Sequence, residues 1–432
     1  MTASFALMSV FAALLLIGAP VAVALGFAGV AGIYLGLDIY ALATVGTNTY
    51  SSIAKYPLIA IPLFILTGMV FERSGVAKSL VDFASALIGP RHGGLAVVAV
   101  IVSLIMGGMS GSGPADAAAV AMVMVPSMMK AGYPKPFSAS VIAAGASTAI
   151  LIPPSIALII YSIMVPGADI RALFAGGMLP GLLAGLAVIL PAVWLSRRHG
   201  FGAEETVDPT PLGAKFVRAL PGLMAPVIIL GGLRSGLFTP TEAAVVAVTY
   251  GVLIGVLVTR KLTLANIYQV LVDSAVTSGI VMLIIALAGI FAWAGSTLGS
   301  FDMAANWLLS LSDNNTVILT IVMVFLLLAG MVLDGISIYL ITLPLLMPVV
   351  KAFEWNITWF GVLMAMNIAI GQFTPPVAVN LMVTSAVAKV PLESTIPWTL
   401  WFVASMILAL MLVVAFPGLV TWLPEALGFQ VS

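Results

Sequence analysis

Four short interruptions each place helix-breaking and hydrogen-bonding residues close together in a chain that is otherwise strongly apolar. Each combines glycine or proline with hydroxyl, carboxyl or amide side chains: GMSGSG (108–113), STAILIPPS (147–155), GMVLDG (330–335) and GQFTPPVAVN (371–380). A break in a helix frees backbone carbonyls and N–H groups. Free carbonyls and hydroxyls are hard oxygen ligands that suit Na+, whereas the N-termini of half-helices suit carboxylates. The interruptions therefore indicate a site for a cation, a small anion or both.

The interruptions recur at a fixed spacing. A shift of 222 positions superimposes the residues that set backbone geometry: Gly108, Met109 and Gly113 on Gly330, Met331 and Gly335, Pro126 on Pro348, and Pro153-Pro154 on Pro375-Pro376. Chance alignment of two apolar stretches is the alternative explanation. Because the matches fall on Gly and Pro, we interpret them as two copies of one broken-helix unit.

Each interruption taken alone also has a purely structural explanation. Gly and Ser permit close helix packing, and Pro kinks a helix. Four interruptions in repeat register favour an ion or substrate site instead. Hydroxyls lie beside the breaks at Ser110, Ser112, Thr148 and Thr374.

Ionisable and amide residues near the breaks are further candidates, since such groups within a membrane are functional hypotheses by default. Asp334 is the repeat partner of Ser112, and Asp116 follows the first break. Either binds a cation or caps a half-helix. Asn380, five residues after Pro375, either donates to substrate or ties its helix to a neighbour. Ser112, Asp334 and Asn380 are the candidate substrate contacts.

Composition places the chain in a membrane. Of its 432 residues 62% are hydrophobic and 7% charged, whereas a soluble domain carries roughly 25% charged residues. We therefore predict an all-α polytopic membrane protein. Several apolar stretches fall short of the roughly 20 residues that a spanning helix needs, which indicates re-entrant hairpins, broken helices and roughly 10–14 complete or partial spans. A net charge of zero argues against nucleic-acid binding.

A polar segment divides the chain into halves. We predict a first half over 1–195, a basic loop over 196–218 and a second half over 219–432. The loop contains Arg197, Arg198, Lys215 and Arg218, which the positive-inside rule places in the cytoplasm.

Longer segments around the four breaks resemble the large membrane subunit (M subunit, DctM-like) of tripartite ATP-independent periplasmic (TRAP) transporters. They are GMSGSGPADAAAVAMVMVPSMMKAGYP (108–134), ILIPPSI (150–156), MVLDGISIYLITLPLLMPV (331–349) and GQFTPPVAVNLMV (371–383). The resemblance implies an elevator-type architecture, with a scaffold and one transport domain built from two inverted repeats with re-entrant helical hairpins and broken helices. Each half would contribute scaffold helices and one hairpin/broken-helix repeat. It also implies a multi-pass protein of the bacterial or archaeal inner membrane.

The resemblance further implies two or more coupling Na+ ions, bound mostly by backbone oxygens. The first site would use Ser110, Gly113, Ala149, Ile152 and Pro153. The second would use Gly330 or Gly335, together with Gly371, Thr374 and Val377.

The resemblance also implies partners. A periplasmic substrate-binding protein would deliver a small organic anion, a carboxylate or sulfonate, and a separate small four-helix membrane subunit would pack beside this chain within the membrane lipid. No ATP is expected to be used, and no G-x-x-x-x-G-K-[ST] motif occurs.

Three rival functions remain at this point. A single-component ion-coupled carboxylate carrier would transport without partners. With a channel or structural subunit, any transport would be insensitive to a Na+ gradient. An intramembrane serine protease would use the G-x-S-G pattern at Gly108–Gly111, but it needs a base near Ser110, and only His92 and His199 exist.

Overall fold

The protein is helical throughout the residues that the computed structural model describes, 2–37, 39–202 and 210–431. Ten α-helices precede the central loop: α1 (Thr2–Leu16), α2 (Val21–Gly36), α3 (Thr44–Ile53), α4 (Ala60–Arg73), α5 (Val76–Ile88), α6 (Gly94–Ser110), α7 (Gly113–Lys130), α8 (Lys135–Ser147), α9 (Ile156–Met164) and α10 (Ile170–His199).

Ten further α-helices follow the loop: α11 (Leu212–Arg234), α12 (Pro240–Leu253), α13 (Leu264–Thr297), α14 (Ser300–Leu309), α15 (Asn315–Gly330), α16 (Gly335–Ala352), α17 (Ile357–Gly371), α18 (Val379–Ala388), α19 (Ile396–Ala415) and α20 (Gly418–Ala426). Short 3-10 turns occupy Ile39–Ala43, Tyr56–Ile59, Thr148–Ile150 and Leu392–Thr395, and a π-helical turn extends α12 over Ile254–Val258.

The 222-residue repeat is present in the helices themselves. α7 and α16 are both 18 residues long and begin 222 positions apart. α8 and α17 also begin 222 positions apart. The Pro153-Pro154 and Pro375-Pro376 peptide bonds are both cis. The spacing of Gly and Pro therefore reports two copies of one unit rather than a chance alignment.

Each copy contains a helical hairpin followed by a broken helix. In the first copy α6 and α7 form the hairpin, and α8 and α9 are the two halves of the broken helix. In the second copy α15 and α16 form the hairpin, and α17 and α18 the broken helix. All four predicted interruptions therefore fall between helices, as hairpin tips at 108–113 and 330–335 and as breaks at 147–155 and 371–380.

Helix lengths agree with a polytopic membrane protein. Seven helices in the described residues are long and apolar enough to cross a membrane, and several others, including both arms α6 and α15, have only 10–17 residues. Short apolar helices at membrane depth must have their ends satisfied by neighbouring protein. The predicted all-α class is confirmed.

The central polar segment is shorter than its sequence pattern suggests. α10 continues through Arg197 and Arg198 to His199, and α11 begins at Leu212 and contains Lys215 and Arg218. Residues 203–209 of the predicted loop 196–218 lie outside the described residues. The division into halves over 1–195 and 219–432 stays a prediction.

The N-terminal halves of the two broken helices lie at the centre of the molecule. Thr358–Gly371 of α17 is buried along its whole length, and so is Phe137–Ser147 of α8. A helix that is apolar all round belongs in such a position. Both helices consequently end, at their breaks, deep inside the protein.

Glycines allow the hairpin tips to touch the breaks. A Cβ on Gly107 would lie only 2.6 Å from Ala149 Cα, and a Cβ on Gly371 would lie 2.5 Å from Gly330 Cα. No larger residue fits without moving backbone against backbone. The glycine at each contact therefore allows the tip and the neighbouring break to approach this closely.

This packing predicts a large cost for one methyl group. We expect Gly107→Ala to lower the free energy of unfolding by about 1–3 kcal/mol, because overpacking at a backbone contact cannot be relieved by a side-chain rotation. The matched control is Gly279→Ala in α13, where a Cβ meets no atom within 4 Å and stability should be unchanged or slightly higher. Thermal unfolding of the purified chain in detergent measures both, and equal melting temperatures for the two variants would contradict the packing.

Candidate ion and substrate site

The first hairpin tip is held by a serine and an aspartate. The Ser110 hydroxyl donates to Asp116 Oδ1 at 2.7 Å and accepts from the Ser112 backbone N–H at 3.1 Å. Gly111 takes the left-handed conformation (φ +61°) that ends α6. Both Ser110 and Asp116 are buried, and Asp116 Oδ2 has no hydrogen-bond partner among the described residues. The tip thus presents buried oxygens rather than a solvated turn.

The first break lies directly against this tip. A Cβ on Gly111 would lie 2.5 Å from the Pro154 carbonyl oxygen, and one on Gly108 would lie 3.5 Å from Ile152 Cγ2. Together with the Gly107–Ala149 approach, these contacts gather four of the five residues predicted for the first ion site: Ser110, Ala149, Ile152 and Pro153.

The second tip is organised by a helix cap. Asp334 Oδ2 accepts from the backbone N–H groups of Ile336 at 3.0 Å and Ser337 at 3.2 Å, and Oδ1 accepts from the Ser337 hydroxyl. Of the two roles open to Asp334, capping the half-helix α16 is the one the structure displays. Asp116 also accepts from a serine hydroxyl, that of Ser110, but among the described residues it accepts no backbone N–H group of a helix N-terminus, and its Oδ2 has no partner.

Backbone contacts also join the second break to the second tip. The Met331 carbonyl accepts from the N–H groups of Val377 at 3.3 Å and Ala378 at 3.4 Å. Gly330 and Gly371 touch backbone to backbone. The Thr374 hydroxyl donates to the Ile370 carbonyl at 2.5 Å, so its oxygen lone pairs remain available to a ligand. Four of the residues predicted for the second ion site, Gly330, Gly371, Thr374 and Val377, therefore share one neighbourhood.

A cluster of amides joins the two repeats between the breaks. The Asn380 side chain donates to Ser147 Oγ at 2.7 Å and to Gln372 Oε1 at 3.3 Å, and its backbone N–H donates to the Gln372 carbonyl at 2.9 Å. Asn380 is fully buried, and its Oδ1 has no partner among the described residues. Asn380 therefore ties α18 to α8, and it still offers one buried acceptor.

Two predicted ion ligands contact this cluster. A Cβ on Gly113 would lie 2.8 Å from Gln372 Oε1 and 2.9 Å from Asn380 Nδ2, so Gly113 faces the second repeat. A Cβ on Gly335 would lie 3.3 Å from Gln372 Nε2. Gly113 is the first residue of α7 and Gly335 the first residue of α16, so the N-terminal ends of both helices lie beside the amide cluster.

Gln372 and Ser147 were missed as site residues by the sequence analysis. Both flank predicted breaks, Gln372 directly after Gly371 and Ser147 directly before Thr148. The available signal was a polar side chain beside a break. Thr148, directly after α8, carries the same signal, and its hydroxyl donates to the Gly145 carbonyl at 2.6 Å as that of Thr374 does to the Ile370 carbonyl.

The described residues do not give the candidate nucleophile Ser110 a histidine as its base. Ser110 donates to a carboxylate, whereas His92 Nδ1 lies 3.1 Å from the Phe201 carbonyl and His199 Nδ1 lies 2.9 Å from the Leu195 carbonyl. Ser110 has no histidine among the hydrogen-bond partners that the described residues give it. The G-x-S-G pattern marks the end of α6 and the start of a turn.

Comparison with known proteins identifies the family. The profile of the DctM component of the tripartite ATP-independent periplasmic transporter matches residues 8–419. The chain belongs to the DctM family. The predicted resemblance is therefore confirmed over nearly the whole length of the chain, including both hairpins and both broken helices.

Relatives of known description are large permeases of TRAP transporters. The chain is 35% identical to the 2,3-diketo-L-gulonate TRAP transporter large permease protein YiaN of Escherichia coli, over 94% of this chain and 95% of that one. It is 36% identical to the C4-dicarboxylate large permease DctM of Pseudomonas aeruginosa, over 87% and 88%. It is 34% identical to the isethionate permease DctMQ of Oleidesulfovibrio alaskensis, over 95% of this chain and 64% of that longer protein.

A solved structure shares the fold. The YdaH transporter of Alcanivorax borkumensis superimposes with a TM-score of 0.67 at 14% identity, covering 88% of this chain and 90% of that one. Membership in the DctM family makes this chain a multi-pass transporter permease rather than an enzyme. Being one component of a tripartite transporter, it works with other components.

The link across the repeats yields a prediction. Asn380→Ala and Ser147→Ala should each destabilise the DctM chain, and a double-mutant cycle should give a coupling of about 0.5–3 kcal/mol, because the two side chains share one buried hydrogen bond. Denaturant unfolding of the purified chain in detergent measures this coupling free energy. Ser147→Ala combined with Thr342→Val is the control, since Thr342 donates to Ile338 within α16 and shares no partner with Ser147. Additive effects in the Asn380 cycle would show that the bond contributes nothing.

Proposed function

We propose that this DctM protein imports a small organic anion together with two or more Na+ ions. A periplasmic substrate-binding protein delivers the anion, and the transport step moves the hairpins and broken helices past a scaffold. The observation that carries the proposal is the repeated contact between a hairpin tip and a helix break, deep in the protein. The single-component carrier is the alternative, and tripartite family membership weighs against it.

The tips and breaks offer the ligands that Na+ prefers. Carbonyls near the ends of α8 and α17 and the hydroxyls of Ser110 and Thr374 are buried hard oxygens, held a short distance apart by glycine contacts. The donor set fits an alkali cation better than a transition metal, since the described residues contain no cluster of three His, Asp or Glu side chains. Na+ in these places is cargo that travels with the substrate.

The substrate class follows from what surrounds the ion sites. The Gln372 amide lies between the two proposed ion sites, beside the N-terminal end of α7, whereas the N-terminal end of α16 is capped by Asp334 and both side-chain N–H groups of Asn380 are already bonded. Helix N-termini and amide N–H groups favour anions. The substrates for which these relatives are named, diketogulonate, C4-dicarboxylates and isethionate, are carboxylates or a sulfonate. Candidate contacts Ser112, Asp334 and Asn380 remain predictions.

Coupling has an electrostatic basis. An organic anion inside a membrane protein is costly to desolvate, and nearby Na+ ions offset its charge because attraction is strong where the dielectric constant is low. A transport domain that carries anion and cations together moves with its charges compensated. The anion alone and the cations alone lack that compensation, whereas the empty domain carries no cargo charge and returns, so transport follows the Na+ gradient without ATP.

In the proposed elevator mechanism the fold divides into a moving body and a scaffold. The hairpins α6–α7 and α15–α16 with the broken helices α8–α9 and α17–α18 form the moving body. The long helix α13, packed on α2 at Gly29, belongs to the scaffold. A small four-helix membrane subunit packs against the scaffold within the lipid.

Reconstitution tests the proposal. The chain, its small membrane subunit and its substrate-binding protein are placed in proteoliposomes, and uptake of radiolabelled carboxylates and sulfonates is followed with and without an inward Na+ gradient. We expect uptake only with the gradient and the binding protein present. Uptake that survives collapse of the Na+ gradient contradicts coupling, and full uptake by this chain alone supports the single-component carrier.

Removing the hydroxyl of each of two candidate ion ligands tests the proposed sites. Thr374→Val should raise the Na+ concentration for half-maximal uptake by about tenfold or more, because a hydroxyl ligand is worth roughly a hydrogen bond to a charged group. The control is Thr342→Val, which removes a hydroxyl with the same bond to the carbonyl four residues earlier, away from the breaks.

Ser110→Ala makes the same test at the first site. We expect a loss of Na+ affinity comparable to that of Thr374→Val, whereas Ser103→Ala should behave as wild type. Ser103 lies in the same helix α6, is equally buried, and donates to the Ala99 carbonyl. Wild-type Na+ dependence in both Ser110→Ala and Thr374→Val would remove these side chains from the ion sites.

A further inference from the structure

A cavity lies where α10 begins and α11 ends, next to the residues of these helices that pack on the first tip and break, Pro226 against Gly108 and Gly177 against Leu151. Its volume is about 410 Å³, and its lining is almost entirely apolar. The lining residues come from α10, α11 and the C-terminal segment: Phe174, Ala175, Met178, Val227, Leu230, Gly231, Leu233, Leu423, Leu427 and Phe429, with Arg171 and Arg234. This volume lies within the range of small-ligand pockets.

The cavity is built from two matching helix faces. Residues 171, 174, 175 and 178 of α10 and residues 227, 230, 231 and 234 of α11 both follow the spacing of one helix face. In both faces the arginine is the outermost residue, one turn or less from the helix end. Each face spans about 10 Å along its helix. The cavity therefore has a cationic rim and an apolar interior.

The charge at the rim is not fully balanced by the protein. Arg171 pairs with Asp169 at 3.2 Å, and its guanidinium lies 5.4 Å from the Phe429 ring centroid. Arg234 is exposed and forms no ion pair with any residue that the structure describes. One net positive charge consequently remains beside an opening into apolar space.

The position of the cavity at the membrane-facing ends of two spanning helices suits an amphipathic ligand. α10 and α11 are both long enough to cross a membrane, and the cavity lies at their ends opposite to the loop that joins them. Arginines at such ends lie at the level of lipid headgroups. Val227, 58% exposed, lies on the side of α11 that the rest of the chain leaves open. The cavity is therefore open on the side of α11 that the described residues leave uncovered.

We propose that this cavity is a binding site for an anionic phospholipid of the surrounding membrane. The phosphate lies at Arg171 and Arg234, and an acyl chain occupies the apolar interior against Gly231 and Ala175. The bound lipid fills the space between the start of α10, the end of α11 and the C-terminal segment. The proposal does not depend on Na+ coupling or on the identity of the transported anion.

Two variants separate the charge from the space. Arg234→Gln removes the unbalanced charge and keeps the cavity. Gly231→Leu keeps both arginines and fills the interior, since a Cβ on Gly231 meets no atom within 4 Å. The matched controls lie at the other end of α11: Arg218→Gln, and Gly213→Leu, where a Cβ also meets nothing within 4 Å.

Native mass spectrometry of the full chain in detergent is the experiment, with dioleoylphosphatidylglycerol and dioleoylphosphatidylcholine titrated separately. We expect one tightly bound phosphatidylglycerol and weaker phosphatidylcholine binding. Arg234→Gln should weaken phosphatidylglycerol binding about fivefold, the effect of one basic residue at an anionic headgroup. Gly231→Leu should abolish the tight site, and both controls should bind as wild type.

Several results would overturn the proposal. Equal affinity for the two lipids removes the role of the arginines, and unchanged binding in Gly231→Leu places the lipid elsewhere. Displacement of the bound lipid by the small membrane subunit makes the cavity a protein interface instead. Each variant is first checked for a single symmetric peak in size-exclusion chromatography. Should Gly231→Leu fail this check, Gly231→Val provides a smaller filling residue with the same expected direction.

Discussion

Free backbone carbonyls and N–H groups inside a membrane cost several kcal/mol each unless something satisfies them, and the central part of this molecule is arranged around that constraint. α8 and α17 both end at breaks in the protein interior, and both hairpins turn there as well. Glycine contacts bring each tip against a break, so that the released polar groups of two elements share one small volume. An ion site is a natural use of such a volume.

The repeat doubles this arrangement and the amide cluster joins the copies. In the second copy the Met331 carbonyl receives two N–H groups from the break, and Asn380 reaches across to Ser147 at the end of α8. Gly113 of the first hairpin meets Gln372 of the second copy. The two regions proposed as ion sites are therefore connected by hydrogen bonds and close backbone contacts. In the proposed mechanism this connection is the route by which occupancy of one site would affect the other.

Sequence alone predicted the backbone pattern well and the side-chain roles less well. Gly and Pro restrict φ and ψ directly, so Gly108–Gly113 and Pro375-Pro376 predicted the turns and the 222-residue repeat to the residue. Side-chain partners depend on which helices meet, and that is decided by long-range packing. Asp334 and Asp116 had the same two options on sequence, and only the structure separates the helix cap from the carboxylate bound to Ser110. Gln372 and Ser147 became visible only once the breaks faced each other. The cavity between α10 and α11 brings together residues 171 and 429, a pairing with no local signal.

The central claim is that each tip and its break hold a Na+ ion. It is tested most directly by cryo-electron microscopy of the transporter complex prepared in Na+ and, separately, in choline. We predict density enclosed by Ser110 and the Ala149–Pro153 segment, and by Thr374, Gly371 and the second tip, in Na+ only. Identical features at these positions in both preparations, or none in Na+, would contradict the account.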